Sequence, residues 1–99
     1  HLDYVEAARG QYGLVAEWPV TKIVADADFR DAYRECHPQV DRAADRTWSP
    51  RFPEQLQDRI DFVFWRGKSL RAVEAKRLDQ HEPQWPSDHA AVWAKFAWE

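Results

Sequence analysis

Apolar residues recur at three- and four-residue spacing over residues 19–27, where Val20, Ile23, Val24 and Ala27 share one face while Lys22 and Asp26 turn away. That period predicts an amphipathic helix opening at Pro19, since proline is favoured in a first turn whose N–H would be unpaired anyway. Its apolar face requires a partner. The same spacing of Phe29, Ala32, Tyr33 and Cys36 predicts a second short helix over 29–36, stopped by Pro38 because the residue before proline is pushed out of the helical region. Residues 39–57 are polar and broken by Pro50 and Pro53, so they read as a long loop with a short extended piece at Thr47 and Trp48. Over 60–66 both alternating faces are apolar, Ile60, Phe62 and Phe64 on one and Val63 and Trp65 on the other, which predicts a strand covered on both sides.

Local signals conflict over 70–78. Leucine, alanine, glutamate, lysine and arginine favour helix by propensity. The short Gly67-Lys68 connection and the imperfect alternation of Val73 and Ala75 with charged residues favour an antiparallel strand, which is the reading adopted. After a polar loop over 79–86, Val92, Ala94, Phe96 and Trp98 alternate with Ala91, Trp93 and Lys95, predicting a closing strand over 90–98. At the other end, residues 2–9 have mild helical character, and Gly10 and Gly13 read as punctuation between segments. The expectation is an α/β chain, two short helices followed by mostly antiparallel strands.

With 99 residues, one domain at most is available, and a chain of this size buries only roughly 65% of its unfolded surface. The 44% hydrophobic and 31% charged composition excludes disorder and low-complexity sequence. No apolar run is long enough for a membrane span, so a soluble chain is expected, with cytoplasmic and secreted locations both open. Fourteen basic residues against seventeen acidic ones give a net charge of -3, with no basic block of the kind that grips nucleic acid. Nucleic acid as a partner is therefore open but not indicated by charge. Cys36 is the single cysteine and closes neither a disulfide nor a thiolate zinc site. The absence of methionine fits a chain cut from something longer, and fits processing equally well.

The candidate chemistry lies in Pro86-Ser87-Asp88-His89, directly before the last strand, and in Asp61 at the start of the apolar strand. Should those strands be neighbours, the Asp61 carboxylate would fix the tautomer of the His89 imidazole and raise its basicity, which is what a general base needs. By composition alone, a histidine near a strand end is an ordinary hydrogen-bonded residue. Cys36 and His37 are adjacent and lack further ligands at suitable spacing, so they read as structural. Most of the six tryptophans read as packing residues, but Trp48 and Trp85 lie in polar loops and are candidates for a cleft wall. Arg34 and Arg59 read as ion-pair partners of nearby carboxylates.

The run Asp58-Arg59-Ile60-Asp61-Phe62-Val63-Phe64, succeeded by Pro86-Ser87-Asp88-His89 and a closing apolar strand, resembles the C-terminal part of the endonuclease/exonuclease/phosphatase superfamily, which includes pancreatic deoxyribonuclease and bacterial sphingomyelinases. Trp18-Pro19-Val20, Phe29-Arg30-Asp31-Ala32-Tyr33-Arg34 and Thr47-Trp48-Ser49-Pro50 are similar to stretches that precede this strand in bacterial members. His1-Leu2-Asp3-Tyr4 resembles the segment just after the family's glycine-aspartate-phenylalanine-asparagine motif. The resemblance thus spans essentially the whole chain.

It implies that residues 1–99 are a single partial domain, the C-terminal portion of a four-layer αββα sandwich whose N-terminal part is missing. It implies further that the parent is a phosphoester hydrolase, on phosphodiesters above all, dependent on Mg²⁺ or Mn²⁺, acting on a substrate whose class stays open among nucleic acids, phospholipids and inositol phosphates. By motif match His89 takes the catalytic histidine's place, Asp61 that of the aspartate bonded to it, and Asp88 that of a metal-contacting aspartate. The resemblance implies in-line attack of a water on phosphorus, with the histidine handling its proton and a bound cation supplying charge stabilisation at the phosphate oxygens. The family's metal-binding glutamate and its other catalytic groups belong to the part that precedes this chain. The isolated 99 residues are accordingly expected to be inactive or nearly so. The rival expectation is a non-catalytic, aromatic-rich binding domain on the same scaffold.

Overall fold

A computed structural model describes residues 19–54 and 58–99. The expectations for residues 2–9, for Gly10 and Gly13, for the motif at His1 and for the end of the long loop lie outside the described residues. Within them the fold is mixed α/β, with three short helices and two small antiparallel sheets. No helix among them is long and apolar enough to cross a membrane.

Helix α1 runs over Pro19–Asp26. Asp28 ends it in the left-handed region at φ 65°, with its own N–H donating to the Ala25 carbonyl at 3.0 Å and that of Phe29 to the Val24 carbonyl at 3.2 Å. This crossed pair of bonds is the Schellman stop, here with aspartate where glycine is usual. The expectation that its apolar face is covered needs correction, because Val20 is 73% and Ile23 68% exposed. One turn later the predicted second helix is shorter than its periodicity implies. Arg30–Asp31 form strand β1, and helix α2 covers only Ala32–Cys36. The reason is local: Asp31 is extended and its carboxylate accepts from the Arg34 N–H at 3.2 Å, as an N-cap does. At the other end His37 leaves the helix before Pro38, as expected.

A third helix, α3 over Arg42–Asp45, stands inside the segment predicted to be loop. The Asp41 carboxylate caps it by accepting from the N–H groups of Ala43 and Ala44 at 3.0 and 3.3 Å. Four residues are too few for an apolar period to register.

The predicted strand over 60–66 also contracts. Only Phe64–Trp65 form a strand, β2, antiparallel to β1 with Arg30 opposite Trp65 and Asp31 opposite Phe64. Trp65 is buried, whereas Ile60 is exposed, so this segment is not covered on both faces along its length. Beyond Gly67, which takes φ 134°, β3 runs over Leu70–Leu78 and pairs not with β2 but with β4, Ala91–Trp98. Leu70 faces Trp98 and Leu78 faces Ala91. A register shift between Ala72 and Glu74 inserts Val73 as an extra residue and reverses the alternation after it. That bulge is the physical source of the imperfect pattern in the sequence.

The core is small: Ala32, Tyr33, Trp65, Ala75 and Ala90 are its buried apolar residues among those described. Helix α2 closes onto β3, with the His37 ring stacked on Tyr33 at 4.4 Å and its Nε2 hydrogen-bonded to the Ala75 carbonyl at 2.7 Å. Trp65 meets Phe96 edge-on at 5.7 Å and donates its Nε1–H to Glu35 at 2.7 Å. Beneath α2, the buried Asp45 carboxylate accepts from Tyr33 Oη at 3.1 Å, from Arg34 Nη2 at 2.6 Å and from the Asp41 N–H at 3.0 Å. Burial and Asp45 together push the Tyr33 hydroxyl above its ordinary value, burial having the larger effect.

Candidate functional site

Thr47 and Trp48 are the extended piece expected inside the long loop, and they join two segments that β4 and β2 would otherwise leave apart. Trp48 forms antiparallel bridges to Asp58 on one side and to His89 on the other. The N–H groups of Thr47 and Trp48 donate to the Asp58 carbonyl at 2.9 and 3.0 Å, the Asp58 N–H donates back to Trp48 at 3.2 Å, and the Ala90 N–H donates to the Thr47 carbonyl at 2.8 Å. The Thr47 side chain is wholly buried, and its hydroxyl accepts the N–H groups of Ile60 and Asp61 at 2.9 and 3.1 Å. This short ladder places the Asp61 segment and the His89 loop on either side of Trp48.

The two side chains meet. His89 Nδ1 lies 2.8 Å from Asp61 Oδ2, and because a carboxylate only accepts, Nδ1 carries the proton and donates it. Nε2 is left as the atom that can exchange a proton with a ligand. The ring is partly exposed, with 39% of the His89 side chain and 37% of the Asp61 side chain open to solvent. The bond to Asp61 raises the imidazole pKa above its ordinary 6.5; partial burial opposes this, and the negative charges of Asp61 and Asp88 add to it.

Neighbouring groups hold the loop that carries His89. Trp85 Nε1 donates to the His89 carbonyl at 2.7 Å, the His89 N–H donates to Ser87 Oγ at 3.1 Å, and Ser49 Oγ donates to the Asp88 carbonyl. Trp48 stands edge-on to the imidazole with ring centres 5.1 Å apart. Both tryptophans singled out from the sequence therefore border His89, one as a ring wall and one as a backbone clamp. Arg34 and Arg59 are ion-paired, to Asp45 at 2.6 Å and to Asp31 at 2.5 Å. Cys36 is unsuited to thiolate chemistry, because burial first, and then Glu35 and Glu74, push its pKa up. Thr47 and Ser49 are buried hydroxyls to which the sequence assigned no role at the site, although both lie in the stretch that resembles bacterial members.

Asp88 lies next to His89, and its carboxylate is an oxygen donor of the kind magnesium prefers. Among the described residues it is not joined by further ligands into a magnesium site. The Asp61 carboxylate is engaged by the imidazole, and among the described residues no group of three or more histidine, cysteine, aspartate or glutamate side chains is arranged to hold an ion.

Compared with known proteins, the chain is 34% identical over 115 aligned positions to an uncharacterized protein of Caenorhabditis elegans. The alignment takes in 97% of this chain but 37% of that protein, so the chain spans little more than a third of the length of the curated relative it matches. No family model and no solved structure matches the chain.

Proposed function

We propose that these residues are the C-terminal portion of a phosphoester hydrolase of the endonuclease/exonuclease/phosphatase type, a four-layer sandwich when whole, and that His89 handles the proton of the attacking water. The observation that carries this reading is the 2.8 Å contact between His89 Nδ1 and Asp61 Oδ2. A carboxylate on Nδ1 fixes the tautomer, keeps Nε2 as the acceptor and stabilises the imidazolium formed when that atom takes a proton. Positioned proton transfer of this kind contributes about 10²- to 10⁴-fold. Trp48, edge-on to the ring, limits its rotation, and the Ser49 and Trp85 bonds fix the backbone on either side of it.

Exposed apolar surface supports the partial-domain reading. Val20, Ile23, Val73, Trp93 and Trp98 lie open while the buried core among the described residues is small, and the curated relative extends well beyond the aligned residues. Mg²⁺ or Mn²⁺ belongs to the proposal through the family resemblance, with Asp88 contributing one carboxylate and donors outside the described residues supplying the rest.

The test is an assay of the full-length protein and of the 99-residue chain side by side, with bis(4-nitrophenyl) phosphate and magnesium. Hydrolysis by the full-length protein and none by the short chain is expected. A full-length protein inert toward this and other phosphoesters would favour the aromatic-rich binding domain instead.

A further inference from the structure

At the far end of the molecule from His89 lies an open cleft of about 550 Å³, within the usual range for small-ligand sites. Among the described residues its walls include Asp28, Phe29, Arg30, Arg66, Gly67 and Lys68, three cations against one carboxylate, in a chain of net charge -3. Lys22, Arg34, Arg59, Arg71, Lys76 and Arg77 each lie within 4.0 Å of a carboxylate oxygen. Arg30, Arg66 and Lys68 make no ion pair among the described residues. Their positions are nevertheless fixed in part, because the Arg30 guanidinium lies over the Trp65 ring at 4.7 Å and that of Arg66 over Phe29 at 5.7 Å. Aromatic faces orient a guanidinium without neutralising it. Gly67 adds an open wall, since a Cβ there would meet no atom within 4 Å.

We infer that this cleft binds an anion of the diphosphate class, drawn by the cations Arg30, Arg66 and Lys68 that line it. Planar guanidinium forks match phosphate oxygens two at a time, while lysine acts as a compact point charge. The site is separate from the imidazole–carboxylate pair. The Glu99 N–H donates to the Ser69 carbonyl at 2.9 Å, which puts the 66–69 turn beside the end of β4, whereas His89 precedes its start. Seven residue steps along β4 separate the two ends, about 23 Å at strand spacing.

Inorganic pyrophosphate is the probe for the free ligand, titrated into the full-length protein at low salt, and vesicles containing phosphatidylinositol bisphosphate are the probe for a headgroup. Binding is read from the amide resonances of Gly67 and Lys68. Saturable shifts with either probe are expected, tighter for pyrophosphate than for orthophosphate and weakened about tenfold or more by Arg66→Gln or by Lys68→Glu, the loss of one charge-assisted contact. Saturation by pyrophosphate identifies a free diphosphate, and saturation by vesicles alone a lipid headgroup. The Lys68→Glu change lies in an exposed turn and reports even where Arg66→Gln disturbs folding. Silence of both amides toward both probes overturns the inference, as does binding that survives both substitutions. Shifts at these amides abolished by His89→Ala would also overturn it, by tying the anion to the other site.

Discussion

The Thr47 hydroxyl accepts the Asp61 N–H at 3.1 Å, so the residue that positions the Asp61 segment is itself buried in the ladder that carries His89. One threonine thereby links the loop, the Asp61 segment and, through its carbonyl and Ala90, the start of the last strand. Thr47→Val keeps the shape and leaves the Ile60 and Asp61 amides without their acceptor. A loss of about 1–3 kcal/mol is expected in urea denaturation, with Thr47→Ser costing less. Equal stability of the valine variant would contradict the assigned role.

Asp61 sets the titration of His89. In the folded protein the imidazole pKa lies above 6.5, and Asp61→Asn lowers it, since the amide offers neither the charge nor as strong an acceptor. Histidine resonances followed from acid to base check this. The linkage has a definite sign: a pKa raised on folding contributes stability that is fully present below the unfolded value, about 6.5, and lost as pH rises through the folded value. An unmoved His89 titration in the asparagine variant would show that the contact is absent in solution.

Asp45 anchors helix α2 to α3 through Tyr33, Arg34 and the Asp41 amide. Asp45→Ala leaves a buried hydroxyl without its acceptor and takes the carboxylate from a guanidinium that keeps its bonds to the His37 and Gln39 carbonyls, and about 1–3 kcal/mol of stability goes with it. Circular dichroism during denaturation checks the loss. The variant should also return the Tyr33 hydroxyl toward its ordinary pKa, visible in an ultraviolet titration at high pH.

Asp28 occupies a left-handed stop where glycine carries no Cβ penalty. Asp28→Gly should stabilise helix α1 by up to about 1 kcal/mol and, by removing a carboxylate from the cleft wall, tighten pyrophosphate binding there. Weaker anion binding in this variant would contradict the proposed electrostatics.

How much of this is legible in the sequence differs from element to element. The first helix, the closing strand and the extended piece at Thr47 and Trp48 stem from proline placement and side-chain period, which act within a few residues, whereas the strand over 70–78 is legible mainly from its short Gly67-Lys68 connection because the bulge at Val73 breaks its alternation. The pairing of β3 with β4 rather than β2 stems from neither, because alternation specifies a face and not a partner. Asp31 shows a different limit: its neighbours have a helical period, yet a carboxylate able to cap holds residues 30–31 in a strand. The segment over 60–66 reads as a long strand because Phe62 and Phe64 alternate correctly, but a run of apolar residues cannot show that Thr47 Oγ1 takes two of its backbone amides. Sequence pattern suggests direct strand neighbours as the means of bringing Asp61 to His89. The juxtaposition arises instead through Trp48, which bridges to Asp58 in the one segment and to His89 in the other.

The most direct measurement is the rate at which the full-length protein hydrolyses bis(4-nitrophenyl) phosphate with magnesium, before and after His89→Ala, with folding of the variant verified by circular dichroism. A fall of about 10²- to 10⁴-fold is predicted, the size of a lost proton-transfer group. An unchanged rate in a folded variant would contradict the role given to this side chain.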